Sequence, residues 1–340
     1  MLAERECRHI VQRVRNARLP TELAAFHIDT AVVAAQLCRL AYIVFPEADF
    51  DPAHDHIPID EPFGDGAGAG VSFSELLSLV DIEGQASFAM DTYFVKVLGV
   101  RVRENIFIAI RGTKGLRDWL TNLQVSTETL IIHSIEGGAE HRLQVHSGFL
   151  KLMNQIRRGI IREVADLVSS MGSAATSGVP QIVACGHSLG GGLALLFAAR
   201  FNDSSIHYDE PFFRRRSFAN MERHQLGLGN DGVRVDSVYS FGAPKSGKQL
   251  YSASLNLNHH RLVMQGDVVP SLPGAAIGFE HDTDALILSP KGPRGILVQQ
   301  HQDTLKPIRK TLFNRRATQN LFENHSIDTY LRSLNALASP

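Results

Sequence analysis

Apolar residues along the chain fall into two rhythms. Between residues 22 and 45 they recur at mostly helical spacings, at Leu23, Phe26, Val33, Leu37, Leu40 and Ile43, which predicts a long helix with one buried face. Further on, short apolar runs at 93–98, 106–110, 181–185, 235–241 and 261–265 read as strands. Helical patterns at 149–171, 189–201 and 247–255 follow or separate them. Strands alternating with helices predict an α/β architecture, a mainly parallel central sheet with helices on both faces.

Three stretches break that rhythm. Residues 46–71 are rich in Pro, Asp and Gly; residues 202–232 contain FFRRRSF; residues 291–316 hold Lys291, Arg294, Lys306, Arg309, Lys310, Arg315 and Arg316 against one acid, Asp303. They read as loop insertions in a single domain covering 1–340. The first twenty residues, MLAERECRHIVQRVRNARLP, mix charge into every apolar run, so they predict a solvated amphipathic helix ending at Pro20 and no signal peptide. No apolar run reaches the 18 residues a membrane-spanning helix requires. The expectation is a cytoplasmic protein or one exported by a leaderless route.

Composition narrows the classes. The 340 residues are 44% hydrophobic and 20% charged, which excludes a disordered, collagen-like or coiled-coil chain. Lys and Arg number 34 against 35 Asp and Glu, a net charge of −1, which excludes a broadly basic nucleic-acid binder. Cys7, Cys38 and Cys185 are too few and too scattered for a disulfide framework. Cys38 and Cys185 sit in apolar runs and are expected in the core.

The candidate chemistry starts at Gly186-His187-Ser188-Leu189-Gly190, the one GxSxG in the chain. The apolar run QIVAC ends directly before it, and LGGGLALLFAARF begins directly after Ser188. A strand that turns sharply into a helix holds a serine in a strained, exposed position at a helix N-terminus. A serine nucleophile needs a base, and the base needs an orienting carboxylate. Asp267 follows the apolar run RLVMQ and is placed at the sheet edge that carries Ser188, whereas Asp236 opens its strand at the opposite edge. Three histidines follow Asp267: His281 before the strand-like ALIL, His301 in a basic stretch, and His325 at the start of HSIDTYLRSL. His325, on a loop before a helix, is the preferred base, with His281 the alternative. The second oxyanion donor beside the N–H of Leu189 is expected from Thr113, where the strand IFIAI runs into Arg111-Gly112-Thr113.

Other motifs are weaker. Gly242-Ala243-Pro244-Lys245-Ser246-Gly247-Lys248 matches GxxxxGK, but Gln249 replaces the Ser or Thr that ligates Mg²⁺, and Pro244 lacks an N–H. A GxGxxA match at Gly64 and Gly66 has no strand before it. Asp51, His54, Asp55 and His56, and likewise Glu280, His281, Asp282 and Asp284, lack EF-hand or zinc-helix spacing. No metal and no cofactor are expected. A non-catalytic lipid-binding module is the remaining rival.

Six segments taken together, IRGTKGLRDWLTNL (110–123), VHSGF (145–149), GHSLGGGLA (186–194), SFGAPKSG (240–247), GDVVPSLP (266–273) and HSIDTYL (325–331), resemble the class 3 lipases. The resemblance covers residues 90–335, with Ile110 where the family usually has Phe. It implies an α/β-hydrolase fold, the nucleophile Ser188, the acid Asp267, the base His325, an oxyanion hole from Thr113 and Leu189, and a lid helix just after Thr113. It implies hydrolysis of lipid carboxylic esters, triacylglycerol or another acylglycerol, with a phospholipase A1 or a short-chain esterase as the alternative. Leu116, Trp119, Leu120 and Leu123 recur at i, i+3, i+4 and i+7, the apolar face of the expected lid. The expected partners are a lipid ester and, transiently, a membrane or lipid-droplet surface. The clustered Lys and Arg at 212–216 and 291–316 read first as a solvated surface; the alternative is attraction to an anionic lipid surface, where each residue gains roughly 1 kcal/mol.

Overall fold

The computed structural model describes residues 2–44, 87–92, 95–111, 126–133, 139–171, 180–203, 233–248, 257–274, 277–289, 298–300 and 324–338. Ten strands, five α-helices and a 3-10 turn at Val269–Ser271 lie within them. An eight-stranded sheet is built from β1 (Ser87–Asp91), β2 (Lys96–Val102), β3 (Asn105–Ile110), β6 (Ile182–His187), β7 (Val235–Phe241), β8 (Asn258–Met264), β9 (Ala285–Leu288) and β10 (Val298–Gln300), side by side in that order. β3, β6, β7, β8 and β9 run parallel, and β1, β2 and β10 join antiparallel at the flanks. β4 (Thr127–His133) and β5 (Glu140–His146) form a separate antiparallel pair.

Alternation within the parallel strands explains why both faces are covered. Ile106, Ile108 and Ile110 point into one core with Ile182 and Ala184, while Phe107 and Ala109 point into the other with Val183 and Cys185. The first core is closed by α3 (Ser147–Ser170), α4 (Leu189–Phe201) and the β4–β5 pair. The second is closed by α1 (Leu2–Asn16), α2 (Ile28–Val44) and α5 (Ile327–Ala338). α3 shows a helical stripe of Phe149, Met153, Ile156, Ile160, Val164 and Leu167, all buried. α4 has no polar face because all thirteen of its residues are buried.

Register fixes the edge that matters. Ile110 pairs with Gly186, Gly186 with Ser240, and His187 with Phe241. Arg111, Ser188 and Gly242 therefore lie along one carboxyl edge, and the turn after β8 brings Asp267 to the same edge.

Several expectations shift. α2 begins at Ile28, because residues before it are drawn into loop contacts, with the Leu23 N–H donating to Gln181 Oε1 at 2.7 Å and the His27 N–H to Tyr239 Oη at 3.1 Å. α1 is not simply a solvated helix: Cys7, Ile10 and Val14 are buried in the core it shares with α2. The helix expected from Gly247 does not start there, since Gly247 bridges Val145 and Glu280; residues 249–256 lie outside the described residues. All three cysteines are buried and unbridged. The stretches 46–71 and 204–232, most of 291–316, and His301 also lie outside the described residues.

Candidate functional site

Ser188 joins β6 to α4 with φ 60° and ψ −131°, a conformation L-residues rarely adopt. The turn is possible because strand and helix cross closely: a Cβ on Gly186 would sit 2.1 Å from Gly190 O, and one on Gly190 would sit 2.0 Å from Ile110 O. Ser188 is the N-cap of α4, a position where a serine hydroxyl ordinarily accepts from the first turn. Here it makes no such bond; Gly191 N–H donates instead to the Ser188 carbonyl at 2.9 Å. The hydroxyl is buried and has no hydrogen-bond partner. Leu189, the first residue of the helix, carries one of the N–H groups that a helix leaves without an intrahelical acceptor.

Asp267 and His325 meet across 58 positions of sequence, with His325 Nδ1–H donating to Asp267 Oδ2 at 2.8 Å. Their side chains are 0% and 7% exposed, so this ion-pair geometry lies in a low-dielectric setting. The remaining lone pairs of the carboxylate are used as well. Oδ1 accepts from Val269 N–H at 2.9 Å, and Oδ2 accepts from the Tyr330 hydroxyl at 2.7 Å. The same hydroxyl accepts from Met264 N–H at 2.9 Å. Burial pushes the Tyr330 phenol up, and the Asp267 charge adds to it, so the phenol stays a donor. The bond from Nδ1 leaves Nε2 of His325 as the free nitrogen; it is buried and, like Ser188 Oγ, has no partner. The site is thus a buried serine hydroxyl and a buried imidazole nitrogen, both unsatisfied, at one edge of the sheet.

The other candidates fall elsewhere. Asp236 accepts from Ile182 N–H at 2.8 Å at the opposite edge. His281 donates through Nε2 to the Pro270 carbonyl at 2.6 Å, and burial holds its pKa well below the ordinary value. Lys248 Nζ stands over the Phe279 ring at 5.8 Å. Among the described residues no group of three or more His, Cys, Asp and Glu is arranged to hold a metal ion. Thr113 and the expected lid residues Leu116, Trp119, Leu120 and Leu123 lie outside the described residues, as do Asp51, His54, Asp55 and His56.

A second Ser–His–Asp chain is present. Ser240 Oγ bonds His259 Nε2 at 2.8 Å, and His259 Nδ1–H donates to Asp282 Oδ2 at 2.7 Å. Its serine lies within β7, fully buried and at no helix N-terminus, so it has the residue types of a nucleophilic site without the elbow. Neither this chain nor the role of Tyr330 was apparent from sequence. The signal for Tyr330 was the aromatic residue of HSIDTYL, one helical turn and a half beyond His325.

The sequence family described as Lipase (class 3) matches residues 107–277, half of the chain. The chain belongs to the class 3 lipases. Among curated relatives, this class 3 lipase is 25% identical over 198 residues to a lipase of Rhizomucor miehei, covering 57% of this chain and 45% of that protein. It is 26% identical over 184 residues to a secreted mono- and diacylglycerol lipase of Fusarium solani, covering 53% and 42%. It is 27% identical over 203 residues to a phospholipase A1 of Oryza sativa subsp. indica, covering 55% and 40%. The chain spans less than half the length of these curated relatives. The structure of a mono- and diacylglycerol lipase from Aspergillus oryzae superposes with a TM-score of 0.50 at 16% identity, over 92% of this chain and 99% of that one. The fold is therefore the α/β-hydrolase fold expected from the sequence.

Proposed function

We propose that this class 3 lipase hydrolyses carboxylic esters of acylglycerols, with Ser188 as nucleophile, His325 as base and Asp267 as the group that orients and charges the base. The observation that carries the reading is the strained Ser188 with a hydroxyl that caps nothing, at the sheet edge where His325 presents a free Nε2. Ser188 Oγ attacks the ester carbonyl carbon while His325 Nε2 takes its proton. The imidazolium so formed is held by its Nδ1–H bond to Asp267, whose negative charge stabilises it. The oxyanion of the tetrahedral intermediate takes the N–H of Leu189 and a second donor at Thr113, the latter assigned from sequence alone. His325 returns the proton to the departing alcohol, and water repeats the sequence on the acyl-enzyme. No step calls on a metal or cofactor.

The domain is read as one unit over 1–340, acting on a lipid ester at a membrane or lipid-droplet surface. Its likeness to a mono- and diacylglycerol lipase favours acylglycerols, and its likeness to a phospholipase A1 makes the sn-1 ester of a phospholipid the second reading. Ser188→Ala should abolish hydrolysis of p-nitrophenyl butyrate with circular dichroism unchanged. More than a tenth of wild-type activity in that variant sinks the assignment. Release of fatty acid from diacylglycerol emulsions against phosphatidylcholine vesicles, measured side by side, separates the two substrate classes.

A further inference from the structure

The residue preceding the nucleophile has both imidazole nitrogens engaged. His187 ends β6 and is buried. Its Nε2 lies 2.5 Å from the carbonyl of His325, and its Nδ1 lies 3.0 Å from the hydroxyl of Tyr42, in the last turn of α2. A carbonyl only accepts, so Nε2 carries the hydrogen, and in the neutral ring Nδ1 accepts from Tyr42. Burial first, and the neighbouring His325 second, hold the His187 pKa well below its ordinary value, which keeps that neutral tautomer. The His187 ring also lies against the His325 ring, 4.6 Å between centroids at 35°, and against Tyr330 at 6.1 Å. Tyr42 is covered in turn by the Arg111 guanidinium, 5.1 Å from its ring centroid. The chain of contacts joins the end of α2, the end of β6 and the turn that leads into α5.

We propose that His187, oriented by Tyr42, is a positioning residue that anchors the main chain of His325 so that its Nε2 faces Ser188. The inference rests on the proposed roles of Ser188 and His325. The Asp267 bond fixes one nitrogen of the His325 ring but leaves the ring free to swing about that contact; the His187 bond fixes the carbonyl at the ring's own residue. Two anchors on one residue define where Nε2 points, and misplacement by about 1 Å costs up to ~10²-fold in rate.

The test separates hydrogen bonding from packing. His187→Phe keeps an aromatic ring but has no donor; His187→Gln places an amide N–H at the reach of Nε2. With p-nitrophenyl butyrate, His187→Phe should lower kcat by about 10- to 100-fold with KM within about twofold of wild type. His187→Gln should recover most of that kcat. Tyr42→Phe, which removes the partner of Nδ1, should lower kcat by about 3- to 10-fold and serves if His187→Phe does not fold. The rate of fluorophosphonate labelling of Ser188 should fall in the same order. A wild-type kcat in His187→Phe, or equal losses in His187→Phe and His187→Gln, overturns the proposal; where His187→Phe does not fold, a wild-type kcat in Tyr42→Phe overturns it. Ser188→Ala run beside them isolates the failure: if it stays active, the assignment of the nucleophile is wrong; if it is dead while His187→Phe is fully active, the positioning role alone is wrong.

Discussion

Gly242 is a position where a single methyl group would press on the Asp267–His325 pair itself. It follows β7 with φ +62°, and a Cβ there would sit 2.7 Å from Asp267 Oδ2, 2.9 Å from the Tyr330 hydroxyl and 3.0 Å from His325 Cε1. Gly242→Ala therefore acts twice. The left-handed backbone costs an L-residue roughly 1–2 kcal/mol wherever it occurs. In addition, ordinary contact begins near 3.4 Å, so the carboxylate oxygen that holds both His325 and Tyr330 has to give by about 0.7 Å. Gly278 offers the control, with φ +81° and nothing nearer than the flexible Lys248 side chain at 3.8 Å. Gly278→Ala should lose the same 1–2 kcal/mol in urea unfolding and keep its kcat. Gly242→Ala should lose somewhat more stability and, in addition, about 10- to 100-fold in kcat on p-nitrophenyl butyrate, since catalytic groups displaced by a fraction of an ångström lose alignment. Equal kcat values for the two variants, at matched stability loss, would refute the placement of Asp267 and His325 as a working pair.

Tyr330→Phe removes a hydroxyl that donates to the Asp267 carboxylate and accepts from Met264 N–H; it should cost about 1.5–3 kcal/mol in urea unfolding and lower kcat, and an unchanged midpoint would show the bond to be idle. His281→Ala should lower the unfolding midpoint and leave the rate of Ser188 labelling near wild type, whereas His325→Ala should cut kcat by about 10³-fold or more with the fold retained; the reverse pattern would move the base to His281. A fluorophosphonate should form its adduct on Ser188, and peptide mapping that finds it on Ser240 would show that the second Ser–His–Asp chain is the reactive one. Burial lowers the pKa of His187 and His281 well below the ordinary value and that of His260 to about 4, so all three are neutral in the fold at pH 7. The unfolded chain takes up their protons near pH 6.5 and the folded chain does not, so stability falls as pH drops from about 6.5 towards 4, by up to about 3 kcal/mol for His260 alone. The urea midpoint should decrease from pH 7.5 to pH 5 and the decrease should shrink in His260→Phe; a flat profile would mean these histidines are not held neutral.

What was legible in the sequence is what local chemistry controls. The run IVAC, the glycines of GHSLGGG and the all-apolar helix after them forced a strand, a tight crossing and a buried helix, and β6, Ser188 and α4 stand where that reading put them. The edge rule for parallel strands separated Asp267 from Asp236, because a residue after a strand and a residue opening one lie at opposite ends of the sheet. The β4–β5 pair is not legible in the sequence although Leu130 and Ile132, and Leu143 and Val145, alternate as strands do; three or four apolar positions in a polar stretch are a weak period. The sequence of α1 reads as solvated because charged residues surround Cys7, Ile10 and Val14, and only the packing of α2 shows which face is covered. The least legible contacts are those that give the site its order. Tyr330 lies 63 positions from Asp267, Tyr42 lies 145 from His187, and His259 lies 23 from Asp282, and no spacing rule links residues that a sheet brings together from separate elements. Residue types alone could not choose between the two Ser–His–Asp chains either. The distinction is conformational: Ser188 has a left-handed backbone and a hydroxyl released from capping, while Ser240 sits in the regular backbone of a central strand with its hydroxyl already bonded. A nucleophile has to be exposed to its substrate and unsatisfied in its absence, and of the two serines only Ser188 meets the second condition.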